Sequence, residues 1–126
     1  MSFRTPIARA RGLGSAKEGA AHWWAQRLTA LALVPLVLWF VISVVSLVGA
    51  GRGAVIEWLS SPVSAGLMIL LIGATFHHAQ LGVQVVIEDY VHNEAVKLGA
   101  IILVKFLAIV LALSGILAVL SIVFGV

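Results

Sequence analysis

Three stretches of the chain are nearly free of polar side chains: Leu28 to Val48, Val63 to Val86 and Gly99 to Val126. Each is long enough to cross a bilayer as a helix, which takes about 20 apolar residues. The pattern predicts an all-α membrane protein with three transmembrane helices, at about 22–48, 62–89 and 94–124, in a single domain spanning 1–126 behind a polar segment 1–21. The first helix is expected to start ahead of its apolar run, because Ser15-Ala16-Lys17-Glu18 matches a capping box. His22, Trp23, Trp24 and Arg27 then fall at the headgroup level, where indole rings settle and arginine can snorkel. The run from Leu28 is too long for the h-region of a signal peptide, so it reads as a retained span with Pro35 as a candidate kink.

Gly49 to Ser61 holds Gly49, Gly51 and Gly53 with Arg52 and Glu57, and reads as a short loop with Trp58 as an interfacial anchor. Ser60 or Ser61 is placed to cap the second helix, with Pro62 in its first turn. Tyr90 to Lys97 reads as a loop or helix end, and Asn93 as a cap for the third helix, which carries Lys105.

Composition narrows the function classes. Hydrophobic residues make up 62% and charged residues 10% of the 126, against roughly 45–50% and about 25% in ordinary soluble domains. A water-soluble globule is excluded, and the polar remainder is too short to house a soluble catalytic domain. The absence of cysteine removes disulfides, thiolate nucleophiles and iron–sulfur ligation by this chain. The net charge of +3 is skewed, with Arg4, Arg9, Arg11 and Lys17 ahead of the first span and only Glu18 opposing them. This skew reads as a topology signal rather than a nucleic-acid surface, and predicts a cytoplasmic N-terminus and an outward C-terminus. His22, Arg27, Asp89, Tyr90, His92 and Lys97 then share the cytoplasmic side.

Candidate chemistry concentrates in Thr75-Phe76-His77-His78-Ala79-Gln80-Leu81-Gly82-Val83-Gln84, since strongly polar groups inside a span are costly. Adjacent residues on a helix diverge by about 100°, so the two histidines cannot serve opposite sides of one centre. His78 has Ala74 and Gly82 at i−4 and i+4, a bare face open to a flat ligand, whereas His77 heads a polar stripe, His77-Gln80-Gln84-Glu88. That stripe is expected to serve interhelical hydrogen bonding or to line a wet cavity, and on its own it also suits a small proton or solute transporter. An intramembrane histidine can ligate a cofactor, pack helices or relay protons. Asp89 returns to within about 20° of the His78 face, roughly 16 Å along the axis. Tyr90 reads as an interfacial belt residue or a ligand contact.

The segment His78-x-x-x-Gly82-x-Gln84-Val85-Val86-x-x-Asp89-Tyr90-Val91-His92 resembles the signature of the hydrophobic membrane anchor of succinate dehydrogenase, respiratory complex II. His22-Trp23-Trp24-Ala25-Gln26-Arg27-Leu28-Thr29-Ala30 is similar to the same family's first span, and Gln80 stands where some relatives carry a further histidine. The resemblance implies packing with a cytochrome b membrane subunit around a shared haem b, with His78 as one axial ligand of the iron and the other supplied by that partner. It implies a ubiquinone contact at Tyr90 with Asp89 beside it, and places Arg27, with His22 close by, near the haem propionates. The partners it implies are the flavoprotein, iron–sulfur and cytochrome b subunits, in a bacterial cytoplasmic membrane or a mitochondrial inner membrane. A fumarate reductase anchor is the near alternative.

Overall fold

A computed structural model describes residues 13–126, with side chains from Gly19 onward. The described residues form four helices, α1 (Leu13–Ser46), α2 (Gly51–Ser60), α3 (Pro62–Tyr90) and α4 (Glu94–Phe124). Gly19–Ser46, Pro62–Tyr90 and Glu94–Phe124 are 28, 29 and 31 residues long and apolar enough to cross a membrane. At about 1.5 Å per residue each exceeds a hydrocarbon core of roughly 30 Å, so their ends reach the headgroups. The chain is an all-α, multi-pass membrane protein.

α1 begins earlier than expected. It is already helical at Leu13, so Ser15 lies inside the helix and is not its cap. Ala16, Lys17, Glu18, Ala20 and Ala21 are strong helix formers, and this run carries the helix ahead of its apolar stretch. The basic residues Arg4, Arg9 and Arg11 lie outside the described residues. The helix passes through Pro35 without interruption.

The loop expected between the first two spans is mostly a helix. Gly49 and Gly51 adopt φ of 79° and 83°, a left-handed backbone that glycine enters without steric cost, and they turn the chain between α1 and α2. α2 then packs on α3 and α4. Its Leu59 is buried with Ala65 of α3 and Val119 of α4, and Trp58, Met68 and Ile72 pack around them. Charge and glycine content in this short segment masked an apolar face that only the neighbouring helices make useful. Trp58 stacks on Trp39 of α1, with centroids 5.6 Å apart.

Both expected caps at the later junctions form. Ser61 is the single extended residue between α2 and α3; its side chain accepts from the Ser64 amide at 3.2 Å, and Pro62 follows at the first helical position. Asn93 Oδ1 accepts from the Ala95 and Val96 amides at 3.0 and 3.2 Å, opening α4. α3 is the central element, flanked by α1 and α4. The α3 and α4 backbones approach closely at Gly115, where a Cβ would stand 3.3 Å from Ile72 Cδ1 and Cγ2. Large apolar side chains such as Leu31, Ile42, Leu103 and Phe106 point outward, as they do where lipid or other membrane subunits provide the surroundings.

Candidate functional site

The two adjacent histidines of α3 open onto different spaces, as their helical divergence requires. His78 lines an apolar groove between α1 and α3, about 440 Å³ in volume, with Ala30, Leu33, Val34, Val37 and Leu38. His77 faces the other side, in a cavity of about 250 Å³ between α3 and α4 that also receives Phe76, Gln80 and Lys105. His78 Nδ1 lies 3.0 Å from Thr29 Oγ1 of α1, a direct side-chain link between the first two spans.

One turn along the same helix pair lies a second, more polar space. His22, Trp23, Gln26 and Arg27 of α1 face Gly82 and Val85 of α3 around a space of about 450 Å³. A Cβ at Gly82 would meet only Gln26 Nε2, at 3.9 Å, so this part of the face expected to be bare is open. His22 Nε2 and Gln26 Oε1 are buried there without a hydrogen-bond partner. Buried polar atoms are normally satisfied, so this pair marks a place where a polar group from outside the chain fits. The Arg27 guanidinium sits 5.0 Å from the Trp23 ring centroid, a cation–π contact that holds it at the groove mouth. The one ion pair among the described residues is Lys97 with Glu94 at 3.4 Å, so Arg27 retains its full capacity for a carboxylate.

Of the two expectations for the polar stripe, His77 and Gln80 do line a cavity, whereas the hydrogen bonds do not cross between helices. Gln80 Nε2 donates to Gln84 Oε1 at 2.8 Å, and Gln84 Nε2 donates to Glu88 Oε1 at 3.0 Å. These bonds run along α3 at i,i+4 spacing rather than between helices. With Glu88 Oε1 as the acceptor at the outer end, both amides turn the same way and Gln80 Oε1 is left as the acceptor at the inner end. Side chains one turn apart reach each other more readily than they reach a neighbouring helix, and sequence spacing does not distinguish the two.

Asp89 and Tyr90 close α3, both exposed, with Tyr90 77% accessible. They stand apart from the groove, roughly 16 Å beyond His78 along the axis at 1.5 Å per residue. The structure thus sets His78 beside one space and His22 with Arg27 around a second, a turn along the same helix pair, and leaves Asp89 and Tyr90 at the helix end. Among the described residues no cluster of three or more histidine or acidic side chains could hold a bare metal ion. Gln26 and Thr29 are the functional candidates that residue-by-residue reading passed over. Their signal was present as a polar stripe, His22-Gln26-Thr29, at spacings of four and three on one face of α1.

Comparison with known proteins places the chain among membrane-anchor subunits. The family model for the succinate dehydrogenase/fumarate reductase transmembrane subunit matches residues 1–113. The chain is 35% identical over 117 residues to the succinate dehydrogenase hydrophobic membrane anchor subunit of Rickettsia bellii, covering 93% of this chain and 94% of that protein. It is 32% identical over 106 residues to the protein of the same name from Paracoccus denitrificans, covering 84% and 82%. The succinate dehydrogenase membrane anchor subunit of Reclinomonas americana is 31% identical over 96 residues, covering 74% and 80%.

Proposed function

The chain belongs to the succinate dehydrogenase/fumarate reductase transmembrane subunit family, and from that membership we propose that it anchors a succinate dehydrogenase to the membrane, ligates haem b through His78 and contributes to a ubiquinone site. The observation that carries the haem assignment is a pair of neighbouring spaces along α1 and α3. One is apolar beside His78; the other, a turn away, is polar, and there His22 and Gln26 lack partners and Arg27 has no carboxylate among the described residues. An amphiphilic macrocycle with carboxylate ends matches that contrast. Arg27 presents a planar fork suited to bidentate pairing with a carboxylate. His22 can donate from its imidazole, and half a turn of the Gln26 amide presents either a donor or an acceptor.

Haem held there by His78, with Arg27 and His22 toward its carboxylates, would supply a one-electron redox couple. The protein's own work is placement, hydrogen bonding and exclusion of water. Tyr90, at the exposed end of α3, would orient a ubiquinone carbonyl with its hydroxyl and stabilise negative charge growing on that oxygen. Asp89 beside it would hand on protons from the aqueous side. Electrons from succinate would arrive through flavin and iron–sulfur clusters on the flavoprotein and iron–sulfur subunits, since this chain has no cysteine to hold a cluster. We place the N-terminus on the cytoplasmic side of a bacterial membrane, from the excess of Arg4, Arg9, Arg11 and Lys17. Fumarate reduction would use the same sites in the opposite direction. Gln80, Gln84 and Glu88 are linked to one another along α3, which ties up both amide donors that a transport pathway would draw on.

The test is purification of the assembled complex in mild detergent and a reduced-minus-oxidised optical spectrum, for the wild type and for His78→Ala. Three further polypeptides and a b-type spectrum that His78→Ala abolishes or alters are expected. A haem-free homo-oligomer, or an unchanged spectrum in His78→Ala, would overturn the assignment.

A further inference from the structure

Thr29 places one hydroxyl against three groups. Its Oγ1 lies 2.7 Å from the Ala25 carbonyl, 3.1 Å from the Gln26 carbonyl and 3.0 Å from His78 Nδ1. A carbonyl oxygen can only accept, and a hydroxyl has a single proton. Donation to the carbonyl one turn back is the habitual bond of a helical threonine, and the 2.7 Å contact to Ala25 is the shortest of the three. With the proton used there, Oγ1 turns only lone pairs toward α3. Nδ1 of His78 must therefore be the donor, so the neutral ring carries its proton on Nδ1 and its free lone pair on Nε2.

The surroundings of His78 point the same way. The groove beside it is lined by Ala30, Leu33, Val34, Val37 and Leu38, whose side chains offer nothing to hydrogen-bond Nε2. We infer that Thr29 is a positioning residue for His78: it fixes the ring's tautomer and orientation so that the Nε2 lone pair is presented to the groove, ready to ligate a metal. The inference rests on the reading of His78 as a haem ligand. A metal-bound imidazole commonly donates its other N–H to a fixed acceptor, which orients the ring and makes it a stronger electron donor. Here the acceptor belongs to another helix, so packing of α1 on α3 and ligation by His78 are one event. Serine would preserve the acceptor, whereas valine keeps the shape and loses it.

The assembled complex provides the test, with Thr29→Val, Thr29→Ser and His78→Ala compared for transfer of haem to excess apomyoglobin and for the haem midpoint potential. Outer partners of a ligand are worth about 10–100-fold in affinity. Thr29→Val is expected to release haem faster by roughly that factor and to shift the midpoint positive, because a less basic imidazole favours ferric iron less. Thr29→Ser should stay close to wild type in both. If Thr29→Val does not assemble, Thr29→Ala against Thr29→Ser isolates the hydroxyl in a smaller side chain. Equal release and equal potential within either pair, with haem lost in His78→Ala, would overturn the role of Thr29 and leave the ligand assignment intact. Haem retained unchanged in His78→Ala would instead overturn the ligand assignment and this inference with it.

Discussion

Filling the groove at Gly82 should separate binding from folding. Gly82 lies one turn beyond His78 and faces His22, Gln26 and Arg27 across the polar space. A methyl there meets only Gln26 Nε2 at 3.9 Å, an ordinary contact, so Gly82→Ala introduces no clash. Alanine also removes the backbone freedom of a mid-helix glycine, worth roughly 0.5–1 kcal/mol in favour of the helix. Gly82→Leu keeps most of that gain and projects a bulky side chain into space that a bound group must share. Extra methylenes in an occupied, well-packed site cost about 1–3 kcal/mol. At about 1.4 kcal/mol per tenfold, haem retention should fall roughly 5- to 140-fold. The two effects have opposite signs: the helix is unharmed or firmer while the cofactor is lost. The assay is the haem-to-flavin ratio of the purified complex, read beside thermal inactivation of succinate oxidation with a soluble acceptor. Full haem content in Gly82→Leu would refute the assignment of this groove. Haem loss already in Gly82→Ala would refute the clearance argument.

Tyr90→Phe should slow ubiquinone reduction by at least about tenfold while succinate oxidation with a soluble dye continues, since the lost bond to a charged oxygen is worth about 1.5–3 kcal/mol; steady-state rates with both acceptors check this, and unchanged quinone rates would make Tyr90 an interfacial residue only. Gly115→Leu should loosen α3 from α4 by about 1–3 kcal/mol, because even a Cβ there stands 3.3 Å from Ile72. Ile72→Ala in the same chain should restore part of that loss, and a double-mutant cycle on detergent unfolding showing simple additivity would count against the contact.

Much of the architecture was legible because lipid imposes a strict rule. A backbone crossing hydrocarbon must satisfy its own hydrogen bonds, so long apolar runs become helices whatever their neighbours do. Ser61, Pro62 and Asn93 were legible for a local reason, since a cap is a contact between residues a few positions apart. α2 was not legible, because ten residues with glycines and charges carry too weak a pattern; Leu59 is buried in a cluster with Ala65 and Val119, which come from two other helices. The start of α1 was missed because a polar but strongly helix-forming run continues past the point where hydropathy ends.

The divergence of His77 and His78 follows from helix geometry alone. What each histidine meets does not. The sequence determined by itself the three spans, the caps of the second and third, and the polar residues inside the second, because bilayer thickness and 3.6-residue periodicity act on consecutive positions. Only the tertiary structure decided that Thr29, 49 positions from His78, would lie 3.0 Å from its Nδ1. It also decided that the Gln80-Gln84-Glu88 stripe would bond along its own helix and leave Arg27 without a carboxylate beside His22 and Gln26. Those contacts depend on the rotation and depth at which one helix docks on another, quantities set by packing across the interface and carried by no local pattern in the chain.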